Sequence, residues 1–262
     1  MGIKALPLSR PPKPISGVFC QPYLDTPITM RAGAAFLPAA CLLGSALAQD
    51  KLKIMPLGDS ITEITCWRAK VWDQLFAAGM TDSIDLVGSM TNNPQNCQSA
   101  DPNWDLGHEG HSGYLAINIA NDLLEGWLAA AQPDIVQFML GTNDVFQGRT
   151  LDAILAAYTR IVELSRASNP SMKIIVDTVI PLPMNNQPIV ALNDAIPAWA
   201  EGLNSTESPI FVADVYNFPY PSTDLRDGVH PNDAGDEIIA QVIAPLMMAV
   251  VQESLSGKAA IY

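Results

Sequence analysis

The sequence predicts an α/β fold, a three-layer α/β/α sandwich around a five-stranded parallel sheet. Two patterns predict it. Short, nearly continuous apolar runs alternate with segments whose apolar residues recur at helical spacing, and glycine-containing or polar turns close the runs. Strands apolar on both faces belong to parallel sheets that helices cover on each side.

The first run, Leu52 to Leu57, reads as strand one and ends in Gly58-Asp59-Ser60. An amphipathic helix follows from Trp67 to Ala78 and stops at Gly79. Ile84 to Val87 is strand two, and the polar stretch from Ser89 to Gly110, rich in Asn, Pro and Asp, reads as a loop. A helix spans about Leu115 to Leu128, and Ile135 to Leu140 is strand three. From Leu151 to Ser168, residues Leu151, Ile154, Leu155, Tyr158, Ile161 and Val162 fall on one helical face until Asn169-Pro170 stops the segment. Lys173 to Ile180 and Ile210 to Val215 are strands four and five, with a helical segment around Leu192 to Leu203 between them. A last helix starts near Asp233 and runs towards Val251. Five such strands suggest a flavodoxin-like sandwich. There, ligands sit beyond the carboxyl ends of the strands, at the switch point between the first and third.

The first 48 residues read differently. Residues 1–29 are proline-rich and lack periodicity, whereas Met30 opens a basic start, a short apolar core and Ala46-Leu47-Ala48 before Gln49. That pattern is a secretion signal cut after Ala48, with Met30 as the initiator and residues 1–29 the product of a misplaced gene start. A buried helix or a membrane anchor is the alternative. The domain proper is then 49–262, and an exported, extracellular protein is expected.

Lys4, Arg10, Lys13, Arg31 and Asp25 leave with the leader, so of 14 basic and 27 acidic residues 10 and 26 remain, a net charge of −16. Such a surface repels nucleic acid and anionic membranes and suits an uncharged substrate. Cys20 and Cys41 also leave, and in an exported chain the remaining Cys66 and Cys97 are expected to pair. Asn204-Ser205-Thr206 is a glycosylation sequon, usable only after export.

Four motifs fall in the loops where a ligand should bind: Gly58-Asp59-Ser60, His111-Ser112-Gly113, Gly141-Thr142-Asn143-Asp144 and Asp227-Gly228-Val229-His230. Ser60 could merely cap a helix. It could equally be a nucleophile, for which acyl transfer needs a base, a carboxylate that fixes the base's tautomer, and N–H donors for the oxyanion. Candidates exist for each: His230 as base, Asp227 three residues before it, and the Ser60 N–H, the Gly113 N–H and the Asn143 amide as donors. Gly110-His111-Ser112-Gly113-Tyr114 superficially offers a rival nucleophile, but its last position is not glycine and no strand precedes it. His108, Glu109 and His111 are metal-ligand types at a spacing that matches no zinc helix. Asp59 and Glu63 could form a glycosidase pair, though carboxylates at a helix start usually serve its dipole.

Together the motifs resemble the SGNH hydrolase superfamily, named for its Ser, Gly, Asn and His, here Ser60, Gly113, Asn143 and His230, with Asp227 completing a triad. KIMPLGDSITEI, DLVGSM, HEGHSGYLAINIA, LGTNDV and DGVHPNDAGDEIIA are similar to the third family of carbohydrate esterases, the acetylxylan esterases. The resemblance implies a secreted enzyme without cofactor or metal that removes acetyl groups from xylan or related sugars. Trp104, in polar surroundings, is the candidate sugar-stacking ring. Tyr114 is either substrate contact or core, Asp59 a further candidate contact, and Trp67, Trp72 and Trp127 read as core. A monomer is expected. The alternatives are a general or lipase-like esterase on the same triad and a non-catalytic carbohydrate-binding protein.

Overall fold

The computed structural model describes residues 50–218 and 220–259. The leader read at residues 1–48 lies outside the described residues. Among the described residues six strands form one sheet: β1 (Leu52–Gly58), β2 (Ile84–Leu86), β3 (Glu109–Gly110), β4 (Ile135–Met139), β5 (Lys173–Asp177) and β6 (Ile210–Ala213). Their order is β2-β1-β4-β5-β6, with β3 also on β1, and every pairing is parallel. The predicted sandwich is the observed fold.

Alternation along each strand divides the core in two. Met55, Leu57, Val136, Phe138, Ile174 and Val176 face one way. On that side lie α3 (Ala116–Asn118), the π-turn Ile119–Leu123, α4 (Leu124–Ala131), α6 (Leu151–Ser168) and α7 (Asn186–Leu203). Leu52, Ile54, Ile135 and Ile175 face the other way, against α2 (Trp67–Ala77) and α8 (Asp233–Ala259). The segment Asp233–Gly257 of α8 is long and apolar enough to cross a membrane by length and composition. Its Ile239, Ala240, Ile243, Ala244, Met247, Val250 and Val251 are nonetheless buried against the sheet layer.

A proline sits inside the central strand β1, where a missing N–H normally breaks a ladder. The pairing explains why it is tolerated. β2 bonds only Leu52 to Ile54 and β3 only Leu57 and Gly58, so Pro56 falls in the gap between them. The same interruption is what brings the Glu109–Gly110 segment to the carboxyl end of β1. A two-residue strand carries no apolar alternation, so in sequence the Glu109–Gly110 segment is indistinguishable from the loop expected over Ser89 to Gly110. α7 starts at Asn186, six residues before the helical segment expected around Leu192. Pro188 stands in the first helical turn, where no N–H is needed, so it does not delay the helix. Two one-turn helices were not read as elements, α1 (Ser60–Ile64) and α5 (Thr142–Phe146), and both carry site residues.

Candidate active site

β1 delivers the first motif. A Cβ at Gly58 would stand 2.1 Å from Thr62 Oγ1, so only glycine lets α1 fold back over the strand end. The N-cap of α1 is Asp59, whose Oδ1 accepts the Ile61 N–H at 2.9 Å. The capping role considered for Ser60 therefore belongs to its neighbour. The Ser60 hydroxyl instead lies 2.8 Å from His230 Nε2, across 170 residues of sequence.

A tight turn before α8 fixes that imidazole. Leu225 and Pro231 form an antiparallel bridge, and Arg226 N–H donates to the His230 carbonyl at 2.9 Å. Asp227 Oδ1 accepts the N–H groups of Val229 and His230 at 3.0 and 2.8 Å, while Oδ2 lies 2.7 Å from His230 Nδ1. Burial, slight here, raises the Asp227 pKa; the backbone and side-chain hydrogen bonds from His230 and the Val229 N–H outweigh it and bring it to about 2. A charged Asp227 accepts from Nδ1–H, which leaves Nε2 as the acceptor for the Ser60 hydroxyl. The chain Asp227–His230–Ser60 can thus withdraw a proton from Oγ.

Two further segments complete the surroundings. β3 pairs Leu57 with Glu109 and Gly58 with Gly110, and His111 N–H donates to the Gly58 carbonyl at 3.0 Å. This register carries Gly113 to the strand end. Gly113 has φ +81°, open space stands where a side chain would be, and its N–H meets no acceptor among the described residues. From β4, α5 supplies Asn143, whose Nδ2 donates to the Tyr114 carbonyl at 3.0 Å and to Asp59 Oδ2 at 3.2 Å. Burial pushes the Asp59 carboxyl up to about 7, opposed by the Ile61 N–H and reinforced by the nearby Asp144 charge. Asp144 is buried too and caps α3, accepting Ala116 N–H at 2.8 Å. The tail of the Gly-x-Asn-Asp motif is thus structural, locking the Tyr114–Ala116 segment against α5.

The other expected residues separate. Trp104 is half-buried, and its ring lies under the Arg68 guanidinium, 5.9 Å from the ring centre, packed with the α2 and α8 side of the core. Tyr114 stays 40% exposed beside Asn143. Trp67 and Trp72 are buried as read, and half-buried Trp127 packs against the core while its ring stacks on His111 at 4.6 Å. Among the described residues no group of three or more His, Cys, Asp or Glu could hold a metal ion. His108 accepts the Gly110 N–H at 3.0 Å and reaches the Asn92 carbonyl at 3.2 Å, while His111 bonds Glu109 at 2.6 Å. Cys66 and Cys97 are joined in a disulfide, and Asn204 is exposed at the end of α7. Glu63, which the sequence offers only as half of a glycosidase pair or as a helix-dipole residue, has a different role. It accepts from Ser112 and Asn92 and so joins α1 to the Gly113 loop.

Comparison with known proteins agrees with this geometry. The GDSL-like Lipase/Acylhydrolase family matches residues 57–238. A multidomain esterase of Ruminococcus flavefaciens is 32% identical over 233 residues, covering 78% of this chain; the chain spans 29% of that relative's length. Among solved structures, a mutant acetyl esterase with acetate ion is 45% identical with a TM-score of 0.75, covering 78% of this chain and 99% of that one. A carbohydrate esterase family 3 protein from Talaromyces cellulolyticus is also 45% identical with a TM-score of 0.75, over 77% of this chain and 99% of its own. The SGNH fold and the family match together establish that this chain belongs to the GDSL-like lipase/acylhydrolase family.

Proposed function

We propose that the chain is a secreted serine esterase that removes acetyl groups from acetylated carbohydrate, acetylated xylan among its substrates. The observation that carries this reading is the hydrogen-bonded series from Asp227 through His230 to Ser60, with contacts of 2.7 and 2.8 Å.

In the proposed reaction, Ser60 Oγ attacks the acetyl carbonyl carbon as its proton passes to His230 Nε2. The carbonyl oxygen becomes an oxyanion facing the N–H groups of Ser60 and Gly113 and the Asn143 amide; loss of one such donor costs about 2.7 to 4 kcal/mol of transition-state stabilisation. Both Asn143 amide protons are already engaged, so the longer contact, to Asp59, is the one that yields. Collapse expels the sugar hydroxyl, which takes the proton from Nε2, and leaves acetyl on Ser60. Water, deprotonated by His230, attacks the acetyl carbon; as its bond to Oγ breaks, Nε2 returns the proton to Ser60 and acetate departs. Asp227 keeps the imidazole in the required tautomer and balances its transient charge.

The 45% identity to an acetyl esterase and to a family 3 carbohydrate esterase supports acetyl and carbohydrate as the substrate classes. The leader pattern, the Cys66–Cys97 bridge and the exposed Asn204 sequon support export. Acetate release from acetylated xylan by the wild type, absent in Ser60→Ala, is the expected result. Equal release by the variant rejects the nucleophile. Hydrolysis of octanoate esters in preference to acetate esters rejects the acetyl reading in favour of a lipase-like one.

A further inference from the structure

We propose that Tyr114 and Phe146 form an open aromatic subsite, beside the oxyanion donors, that takes an uncharged sugar ring of the acylated substrate; this rests on the carbohydrate-ester reading above. Both rings are large, apolar and exposed, at 40% and 51%. They flank one residue. The Tyr114 carbonyl accepts from Asn143 Nδ2 at 3.0 Å, and Phe146 stands three residues after Asn143 in α5, on the same helical face. The rings therefore come from different chain segments, one borne by the residue whose carbonyl holds the Asn143 amide and the other one helical turn along α5 from it.

Tyr114 is also held in advance. Its ring stacks on His111 at 5.0 Å, and His111 stacks in turn on Trp127 at 4.6 Å with planes 9° apart. Glu109 fixes His111 from the edge at 2.6 Å, and the Ser89 N–H and hydroxyl fix Glu109 at 2.7 and 2.5 Å. A ring fixed in this way loses little rotamer freedom when a ligand covers it, which is how rigid aromatic anchors gain affinity. A column of three stacked rings ending at solvent is more support than an ordinary surface tyrosine has.

The occupant follows from charge and shape. Glu63, Glu109 and Asp227, each held against burial below the usual carboxylate range by its hydrogen bonds, lie at this end of the sheet in a chain of net charge −13, which disfavours an anionic ligand. A long acyl chain gains most from an enclosed apolar tunnel, whereas these rings lie half open to water. A pyranose matches an open ring: one C–H face packs on the aromatic plane, and its hydroxyls stay hydrated.

The test measures kcat/KM of wild type, Phe146→Ala, Phe146→Tyr and Tyr114→Leu on an acetylated xylo-oligosaccharide, ethyl acetate and ethyl octanoate, by titration of released acid. The ratio of oligosaccharide to ethyl acetate is expected to fall about tenfold in Phe146→Ala and Tyr114→Leu, through KM, and to persist in Phe146→Tyr, which keeps the ring. An unchanged ratio in both ring-deleting variants overturns the subsite. A selective loss on octanoate makes it an acyl site and overturns the proposal as well. Wild type that hydrolyses ethyl acetate but not the oligosaccharide overturns the carbohydrate reading itself, an outcome separable from the first two.

Discussion

Glu63 Oε2 accepts both the N–H and the hydroxyl of Ser112, at 2.6 and 2.5 Å, across 49 residues of sequence. Glu63 follows Ser60 by one helical turn, and Ser112 immediately precedes Gly113. A single carboxylate therefore fixes the spacing between the hydroxyl and the open Gly113 N–H. Its other oxygen accepts the Asn92 amide at 2.8 Å. Burial alone would raise the Glu63 pKa, yet these hydrogen bonds from Ser112 and Asn92 hold it below the usual range, so it is charged at neutral pH.

Replacing Glu63 with alanine should displace the proposed oxyanion donor, the Gly113 N–H, without touching substrate. The expectation is a fall in kcat of about 10 to 100-fold with KM altered less than about twofold, since only transition-state contacts are weakened. Glu63→Gln, which keeps an acceptor, should recover part of the loss. Steady-state kinetics with a melting curve for each variant decide the matter. An unchanged kcat, or a change confined to KM, would remove the positioning role.

Asp227→Asn should cost more. The asparagine amide would present N–H to Nδ1 and turn the imidazole to the tautomer that cannot accept from Ser60. A drop in kcat of about 10² to 10⁴-fold is expected. Asp227 has a side-chain exposure of 51%, so water can partly replace it and the lower end of that range applies. Removal of the proposed base in His230→Ala should lower kcat further. Equal kcat in wild type and His230→Ala would dissolve the proton-transfer scheme.

The sequence displays the sheet clearly because burial on both faces leaves unbroken apolar runs such as Ile135 to Leu140, and helices such as Leu151 to Ser168 keep one strict apolar face. Ser60 and Asn143 could be singled out because each follows such a run, and His230 because its Asp-x-x-His turn directly precedes the last helix. What stayed hidden was held by single backbone contacts. β3 is defined only by Leu57 and Gly58 of its partner strand, and nothing in WDLGHEG distinguishes a bridging pair from a loop. The Asn143 contact with Asp59, 84 residues away, likewise leaves no periodic mark. Trp104 looked like a ligand contact because its neighbours in sequence are polar. Its neighbours in space are Arg68 and the α2 face, which linear composition cannot report.

The Cys66–Cys97 bridge closes a loop with a sequence separation of 31 and fastens the start of α2 to the long segment before β3. Loop-closure entropy assigns it about 3 to 4 kcal/mol. For a domain of this size, each kcal/mol moves Tm by about 2 to 4 °C. The Cys66→Ser, Cys97→Ser double variant should therefore melt about 6 to 16 °C below wild type. A difference of less than about 2 °C would show that the connecting loop is ordered by its other contacts, among them Trp72 Nε1 on Asp101 at 2.9 Å.

Asp177, fully buried at the end of β5, provides a stability prediction with a defined sign. Burial pushes its carboxyl well above the ordinary value, and the hydrogen bond from the Gln137 amide only partly opposes this. The folded state therefore keeps the proton where the unfolded chain, titrating near pH 4, has lost it. With more protons bound when folded, stability is greatest below about pH 4 for this group and declines as pH rises towards the folded pKa, by at most about 1.4 kcal/mol per pH unit. Asp236, raised to about 6 by burial against hydrogen bonds from the Cys66 region, and Asp59, raised to about 7, act in the same direction between about pH 4 and 7. Asp227, lowered to about 2, acts oppositely and only in more acidic solution. Burial lowers His108 to about 4, which also opposes the decline between about pH 4 and 6.5, so melting temperature should fall most clearly from about pH 6.5 to pH 8. Asp177→Asn keeps a polar partner for Gln137 but takes up no proton, so its Tm should gain on wild type steadily as pH rises. A difference between the two proteins that is constant across that range would mean that Asp177 is ionised in the folded chain.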